Sequence, residues 1–155
     1  MVNLNSMLLL ASIALLIVVN SLVEAQSQQD LPPFLQGASP ATVKEFEKLL
    51  MGAENMTQGQ LDAAVNKWVN KQDMRIQTAF KQFLKQVKDA QAQGEAAHKA
   101  AVAKFSAEAK RADAQLTAIA GHPNKTNRQK GMEIQALLQS LPPRVRAEIE
   151  QAMRG

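Results

Sequence analysis

Glutamate, histidine and serine are the residues of this chain that could carry chemistry, and their spacing decides how much. Glu95 and His98 stand three apart, the E-x-x-H spacing that puts both side chains on one helix face, as in di-iron bundles. Such a centre takes two copies of the motif plus two further inward glutamates. Here there is one copy, in an alanine-rich stretch, so a histidine packed beside small residues is the better reading. Nucleophilic catalysis would need a Ser or Thr paired with His98 or His122. Ser106 and Thr126 instead stand at helix starts, where hydroxyls cap free amides, and His122 precedes Pro123 in a turn. The chain has 0 Cys and 0 Tyr and carries no glycine-rich phosphate loop, which leaves few groups that titrate usefully near neutrality. No catalytic residue and no cofactor is expected, and the chain reads as a non-enzyme.

Metal and nucleic-acid chemistry can be tested in the same way. A calcium loop of the EF-hand type needs alternating Asp or Asn oxygens, a glycine at its sixth position and a glutamate at its twelfth. The stretch Gly52 to Thr57 offers Glu54 and Asn55, and Gly121 to Thr126 offers no carboxylate. That leaves at most weak magnesium binding at scattered carboxylates such as Glu45, Glu47 and Glu54, which read better as solvated helix charges. With 18 Lys and Arg against 14 Asp and Glu the net charge is +4. The basic residues are nevertheless interleaved with acidic ones, and Phe46, Trp68, Phe80 and Phe83 lie on apolar stripes rather than offering faces to stack bases. No nucleic-acid partner is expected. Lys81, Lys85 and Lys88 form the most concentrated positive row, a solubilising face that could also meet an acidic partner or lipid headgroups. Two sequons, Asn55-Met56-Thr57 and Asn124-Lys125-Thr126, would become N-glycosylation sites in an exported chain.

Export is what the first residues indicate. Met7 to Val19 is an almost wholly apolar run, too short for a membrane span of about 20 residues but suited to a signal-peptide core. Asn20 and Ser21 break it, and Val23 and Ala25 fit the −3 and −1 positions of a cleavage site after Ala25. Met1 to Ser6 lacks the usual Lys or Arg. The expected organisation is a signal peptide over residues 1–25, an extended lead-in over 26–38 anchored by Phe34 and Leu35, and one helical domain over 39–155. No stable membrane span is expected in the mature chain.

The elements of that domain follow from caps and periodicity. Ser39-Pro40 opens a helix with Val43, Phe46, Leu49 and Leu50 inward, ended by Gly52. Thr57 and Gln60 form a capping-box pattern ahead of Leu61, Val65, Trp68 and Val69. Asp73 caps a longer segment carrying Ile76, Phe80, Phe83, Leu84 and Val87, which either runs through Gly94 to Lys104 or bends there. Ser106 caps a helix with Ala109, Ala112, Leu116 and Ile119, stopped by Gly121. Thr126 and Gln129 repeat the capping box before Met132, Ile134, Leu137, Leu138 and Leu141. Pro142-Pro143 breaks the chain, and Val145, Ile149 and Met153 form a last stripe. No segment alternates with the period of a strand. The fold class is all-α, a compact bundle of five to six amphipathic helices.

Three blocks in order resemble the nematode SXP/RAL family of secreted antigens: PPFLQGASPATVKEFEKLL (Pro32 to Leu50), AHKAAVAKFSAEAKRADAQLTAIA (Ala97 to Ala120) and IQALLQSLPPRVRAEI (Ile134 to Ile149). The resemblance implies an exported or surface-associated roundworm protein, often an antigen or allergen, with no agreed biochemical role. It also implies a bundle resembling calmodulin's paired helices, with divalent-ion binding suggested for some members. It supplies no catalytic residues. Two functions are then open. One is a secreted interaction protein that meets host or parasite-surface macromolecules through exposed helix faces. The other is a carrier of a small hydrophobic ligand such as a fatty acid.

Overall fold

The computed structural model describes residues 31–152. The apolar run Met7–Val19, the cleavage position after Ala25 and Met153 lie outside the described residues. Among the described residues six α-helices follow one another: α1 (Pro40–Met51), α2 (Gln58–Val69), α3 (Met74–Ala103), α4 (Ala107–Ala120), α5 (Asn127–Ser140) and α6 (Pro143–Ala152). Among the described residues the sole β-type pairing is an isolated bridge, so the class is all-α.

Local chemistry sets the starts. Ser39, Thr57, Asp73, Ser106 and Thr126 each accept a hydrogen bond from the backbone amide three residues on. Caps of this kind each stabilise a helix by about 1 kcal/mol. Helix α3 continues without a break through Gly94 for 30 residues. Glycine there costs roughly 1 kcal/mol relative to alanine, which anchored turns on either side can offset.

The buried apolar residues fall into two clusters, one at each end of α3. The first gathers Phe34, Phe46, Leu61, Trp68, Ile76 and Phe80, from the lead-in, α1, α2 and the start of α3. The second gathers Phe105, Leu116, Ile134, Val145 and Ile149, with Val102 of α3 packed against it. Phe34 is the hub of the first cluster. Its ring centroid lies 5.3 Å from that of Phe46 and 5.1 Å from that of Phe80, both edge-on. Edge-to-face geometry of this kind sets a positive ring edge against a negative ring face.

Three positions differ from the sequence expectation. Pro33–Leu35 is a 3-10 turn rather than extended chain, closed by the Leu35 amide donating to Pro32 O at 2.8 Å. Gly37 then takes φ 73°, in the left-handed region, and Arg75 Nη1 donates to Gln36 O at 2.7 Å, which ties the turn to α3. The turn is what points Phe34 and Leu35 inward together. Leu84 is 41% exposed and Met132 56% exposed, although their spacing places both on apolar stripes. Each residue of an α-helix is rotated 100° from the last. Buried Ile76 and Phe80 and half-buried Phe83 therefore leave Leu84 at the edge of their stripe, and buried Lys130 and Ile134 put Met132 on the far side of α5.

A tertiary cap joins α6 to α4. The Ser106 amide donates to Glu148 Oε1 at 2.5 Å, and the Ser106 hydroxyl donates to Glu148 Oε2 at 2.9 Å. The Ser106 amide, then its hydroxyl, and more weakly Arg144 hold the Glu148 carboxyl below its ordinary pKa of 4.5, against a smaller opposing effect of desolvation. A depressed folded-state pKa means a stabilising contribution that is complete above the unfolded value and lost as pH falls through the folded one. Thermal melts followed by circular dichroism should therefore show the Tm of the unsubstituted protein falling more steeply below pH 4.5 than that of Glu148→Gln. Parallel acid limbs for the two proteins would refute this role for Glu148.

Candidate functional site

The two helix-connecting loops, Gly52–Thr57 and Gly121–Thr126, meet each other. Thr57 and Thr126 form an antiparallel bridge. The Asn127 amide donates to Met56 O at 3.0 Å, and Asn127 Nδ2 donates to Ala53 O at 3.0 Å. Both threonines also complete capping boxes. Thr57 Oγ1 accepts from the Gln60 amide at 3.3 Å while Gln60 Oε1 accepts from the Thr57 amide at 2.9 Å. Thr126 and Gln129 repeat this at 3.2 and 2.9 Å. The loops share the pattern G-x-x-N-x-T-x-x-Q, from Gly52 to Gln60 and again from Gly121 to Gln129, an offset of 121 − 52 = 69 residues. The helix pair α1–α2 is thus matched by α4–α5. Matching the two cap signatures along their whole loops would have exposed this repeat in the sequence.

Two charged side chains that read in the sequence as solvated helix-face charges are buried instead. Asp113 is 7% exposed, on the inward face of α4 beside Ala109, Ala112 and Leu116. His98 of α3 is its partner: Nε2 stands 3.2 Å from Oδ2 and 3.2 Å from Oδ1. His98 is about a third exposed and has a buried carboxylate as its counterpart. Its E-x-x-H companion Glu95 faces solvent, so the structure does not bring that pair to a common site. Lys130 is 2% exposed on α5, and burial lowers its ammonium pKa. The 69-residue offset aligns Lys130 with Leu61, which is fully buried.

An open groove runs between α5 and α6. This groove of about 530 Å³ is lined by Arg128, Gly131, Met132, Leu138, Arg146 and Glu150, among others. Arg146 Nη2 donates to Leu141 O at 3.3 Å, a backbone carbonyl at the end of α5, while its buried Nε has no hydrogen-bond partner. At its loop end the groove begins with Arg128, whose Nη1 is 3.8 Å from Glu54 Oε1 across the loop junction. A Cβ added at Gly131 would meet nothing within 4 Å, so the groove can be filled from that position without disturbing the helix.

Comparison with known proteins gives this architecture a lineage. The family model for "SXP/RAL-2 family protein Ani s 5-like, metal-binding domain" matches residues 4–153. The chain belongs to the SXP/RAL-2 family. It is 43% identical over 128 residues to the OV-17 antigen of Onchocerca volvulus, covering 83% of this chain and 78% of that one. It is 37% identical over 122 residues to the SXP/RAL-2 family protein Ani s 5 of Anisakis simplex, covering 79% and 80% respectively. No solved structure matches it significantly.

The family description includes metal binding, and the donor set of this SXP/RAL-2 chain can be tested against it. Among the described residues no three His, Cys, Asp or Glu side chains come together. Glu54, the one carboxylate of the first loop, faces Arg128. Glu133, in the first turns of α5, is held by Lys125 of the second loop. Glu45 and Glu47 lie apart on α1. A magnesium ion asks for oxygen ligands including one or two free carboxylates, and Glu54 and Glu133 already face the chain's own cations while Glu45 and Glu47 do not converge with any other carboxylate. Among the described residues, the carboxylates do not fit a divalent-ion site. Accordingly, millimolar MgCl2 or CaCl2 at constant ionic strength should move the Tm by less than about 1 °C, because a ligand without native-state affinity adds no stability by mass action. A saturable rise in Tm that Glu54→Gln removes would contradict this.

The His98–Asp113 pair gives a second expectation. Removing His98 strands a buried carboxylate, which costs about 1–3 kcal/mol. Urea unfolding should rank His98→Ala as less stable than the double variant His98→Ala/Asp113→Ala, in which the stranded charge is gone. If the double variant is the weaker of the two, the pair is not the source of the effect.

Proposed function

We propose that this SXP/RAL-2 protein is an exported, non-enzymatic interaction protein that binds an acidic surface segment of a host or parasite-surface macromolecule in the groove between α5 and α6. The observation that carries the reading is the groove itself. It combines two arginines with a 56% exposed methionine, a pairing suited to a partner that offers carboxylates around one apolar side chain. The excess of basic residues in the chain, and the exposed row Lys81, Lys85 and Lys88 on α3, favour approach by acidic partners. Export is supported by the apolar run Met7–Val19 and by kinship with a protein named as an antigen.

The absence of catalysis is supported by how the reactive side chains are used. Ser106 is engaged by Glu148 and caps α4, Thr126 caps α5, and His98 faces Asp113. None forms a nucleophile–base pair. A carrier of fatty acids would be served by an enclosed apolar cavity. The α5–α6 groove instead is edged by Arg128, Arg146 and Glu150.

Gly131→Leu is the discriminating variant, since leucine there fills the groove and improves helix propensity by roughly 1 kcal/mol. The secreted protein, immobilised, should retain an identified acidic protein from host extracellular fluid, and both Gly131→Leu and Arg128→Glu should weaken that complex at least about tenfold, or about 1.4 kcal/mol. Equal affinity in all three proteins would overturn the assignment of the groove. A stoichiometric lipid in the native mass spectrum, lost on organic extraction, would replace the proposal with the carrier reading.

A further inference from the structure

The loop junction holds a feature that neither the fold nor the groove accounts for. Both loops carry a complete N-x-T sequon, and the internal repeat places the two asparagines, Asn55 and Asn124, at equivalent positions. The threonines have a structural duty as helix caps, so their presence needs no modification to explain it. The asparagines have no such duty. Both are exposed, and neither side chain makes a hydrogen bond to a described residue. Neither sequon has proline at its middle position or directly after its threonine, where proline would stiffen the acceptor backbone.

We infer that Asn55 and Asn124 both carry N-linked glycans, which flank the Thr57–Thr126 bridge and cover the loop end of the molecule. The inference rests on the export reading, since the donor is met only in the secretory pathway. In the transfer, Asn Nδ2 attacks the anomeric carbon of a lipid-diphosphate-linked oligosaccharide. A C–N bond forms as the C–O bond to the diphosphate breaks, the lipid diphosphate leaves, and the amide loses one proton to solvent. The threonine hydroxyls are free for recognition in the unfolded, newly made chain and take up their capping bonds on folding. Asn55 directly follows Glu54, whose partner Arg128 opens the α5–α6 groove, so one glycan stands at the groove's mouth and narrows what can enter from that end.

The test is expression of the full chain in a mammalian secretory cell line, with medium and cells analysed by intact mass and by peptide mapping after enzymatic deglycosylation. The secreted protein should show Asn converted to Asp at both 55 and 124 on deglycosylation. Asn55→Gln and Asn124→Gln should each lose one glycan and the double variant both. Thr57→Asp and Thr126→Asp separate the two duties of the threonines, because aspartate is a good helix cap but destroys the sequon. Each should lose its glycan and keep the helical circular dichroism spectrum and Tm of the deglycosylated protein. Secreted protein with both asparagines unmodified overturns the inference and leaves the export reading standing. A chain that stays in the cytosol, unmodified and still carrying Met7–Val19, overturns both. A glycan retained in Thr57→Asp or Thr126→Asp also overturns the assignment of that sequon.

Discussion

Helix α3 is shared by two cores that have no other common element, and its continuity is the condition on which the rest of the molecule depends. Thirty residues at a rise of 1.5 Å make a rod of about 45 Å. Ile76 and Phe80 near one end close the Phe34 cluster, while Val102 near the other packs against the second. With no cysteine to staple either core, each must be held by apolar packing and caps alone. A bend at Gly94 would change the angle between the cores and pull apart loops that now touch. The capped start at Asp73, the tie from Arg75 to Gln36 and the His98–Asp113 pair all act to keep the rod straight between anchored ends.

The second contact between the two halves is the loop junction, and it is built from backbone and caps instead of ions. Helix-loop-helix pairs that bind calcium neutralise clustered loop carboxylates with the metal. In this SXP/RAL-2 chain the positions around the junction carry Lys125, Arg128 and Lys130 as well as Glu54 and Glu133, and the opposite charges meet each other. Each of these two carboxylates thus already faces a cation of the chain, Glu133 facing Lys125 and Glu54 facing Arg128.

Much of this was readable from residue types. All five side-chain caps and the helices they open lie where Ser39, Thr57, Asp73, Ser106 and Thr126 place them, because capping is local chemistry between residues three apart. Prolines and glycines fixed most of the breaks. What escaped depends on distant partners. Asp113 and Lys130 occupy inward helix phases, yet their charge argues for solvent until a histidine 15 residues away, or the packing of a lysine's aliphatic stem, is known. The spacing of Met132 misleads for the same reason, since Lys130 claims the inward phase of α5. The groove needs the angle between α5 and α6, which Pro142-Pro143 permits but does not specify.

The Thr57–Thr126 bridge also bears on how the chain reaches its native state. The first core draws on residues 31–83 and the second on 102–152, so each is assembled from near neighbours in sequence. The bridge, by contrast, closes a segment of 126 − 57 = 69 residues for the sake of a few hydrogen bonds. Loop-closure entropy grows with the logarithm of that span, and contacts of high sequence separation are slow to form. On closure entropy alone, the two lobes are expected to condense before the clasp between them locks. Mutations in the clasp consequently act on the unfolding rate, while those in the Phe34 cluster act on the rate of folding.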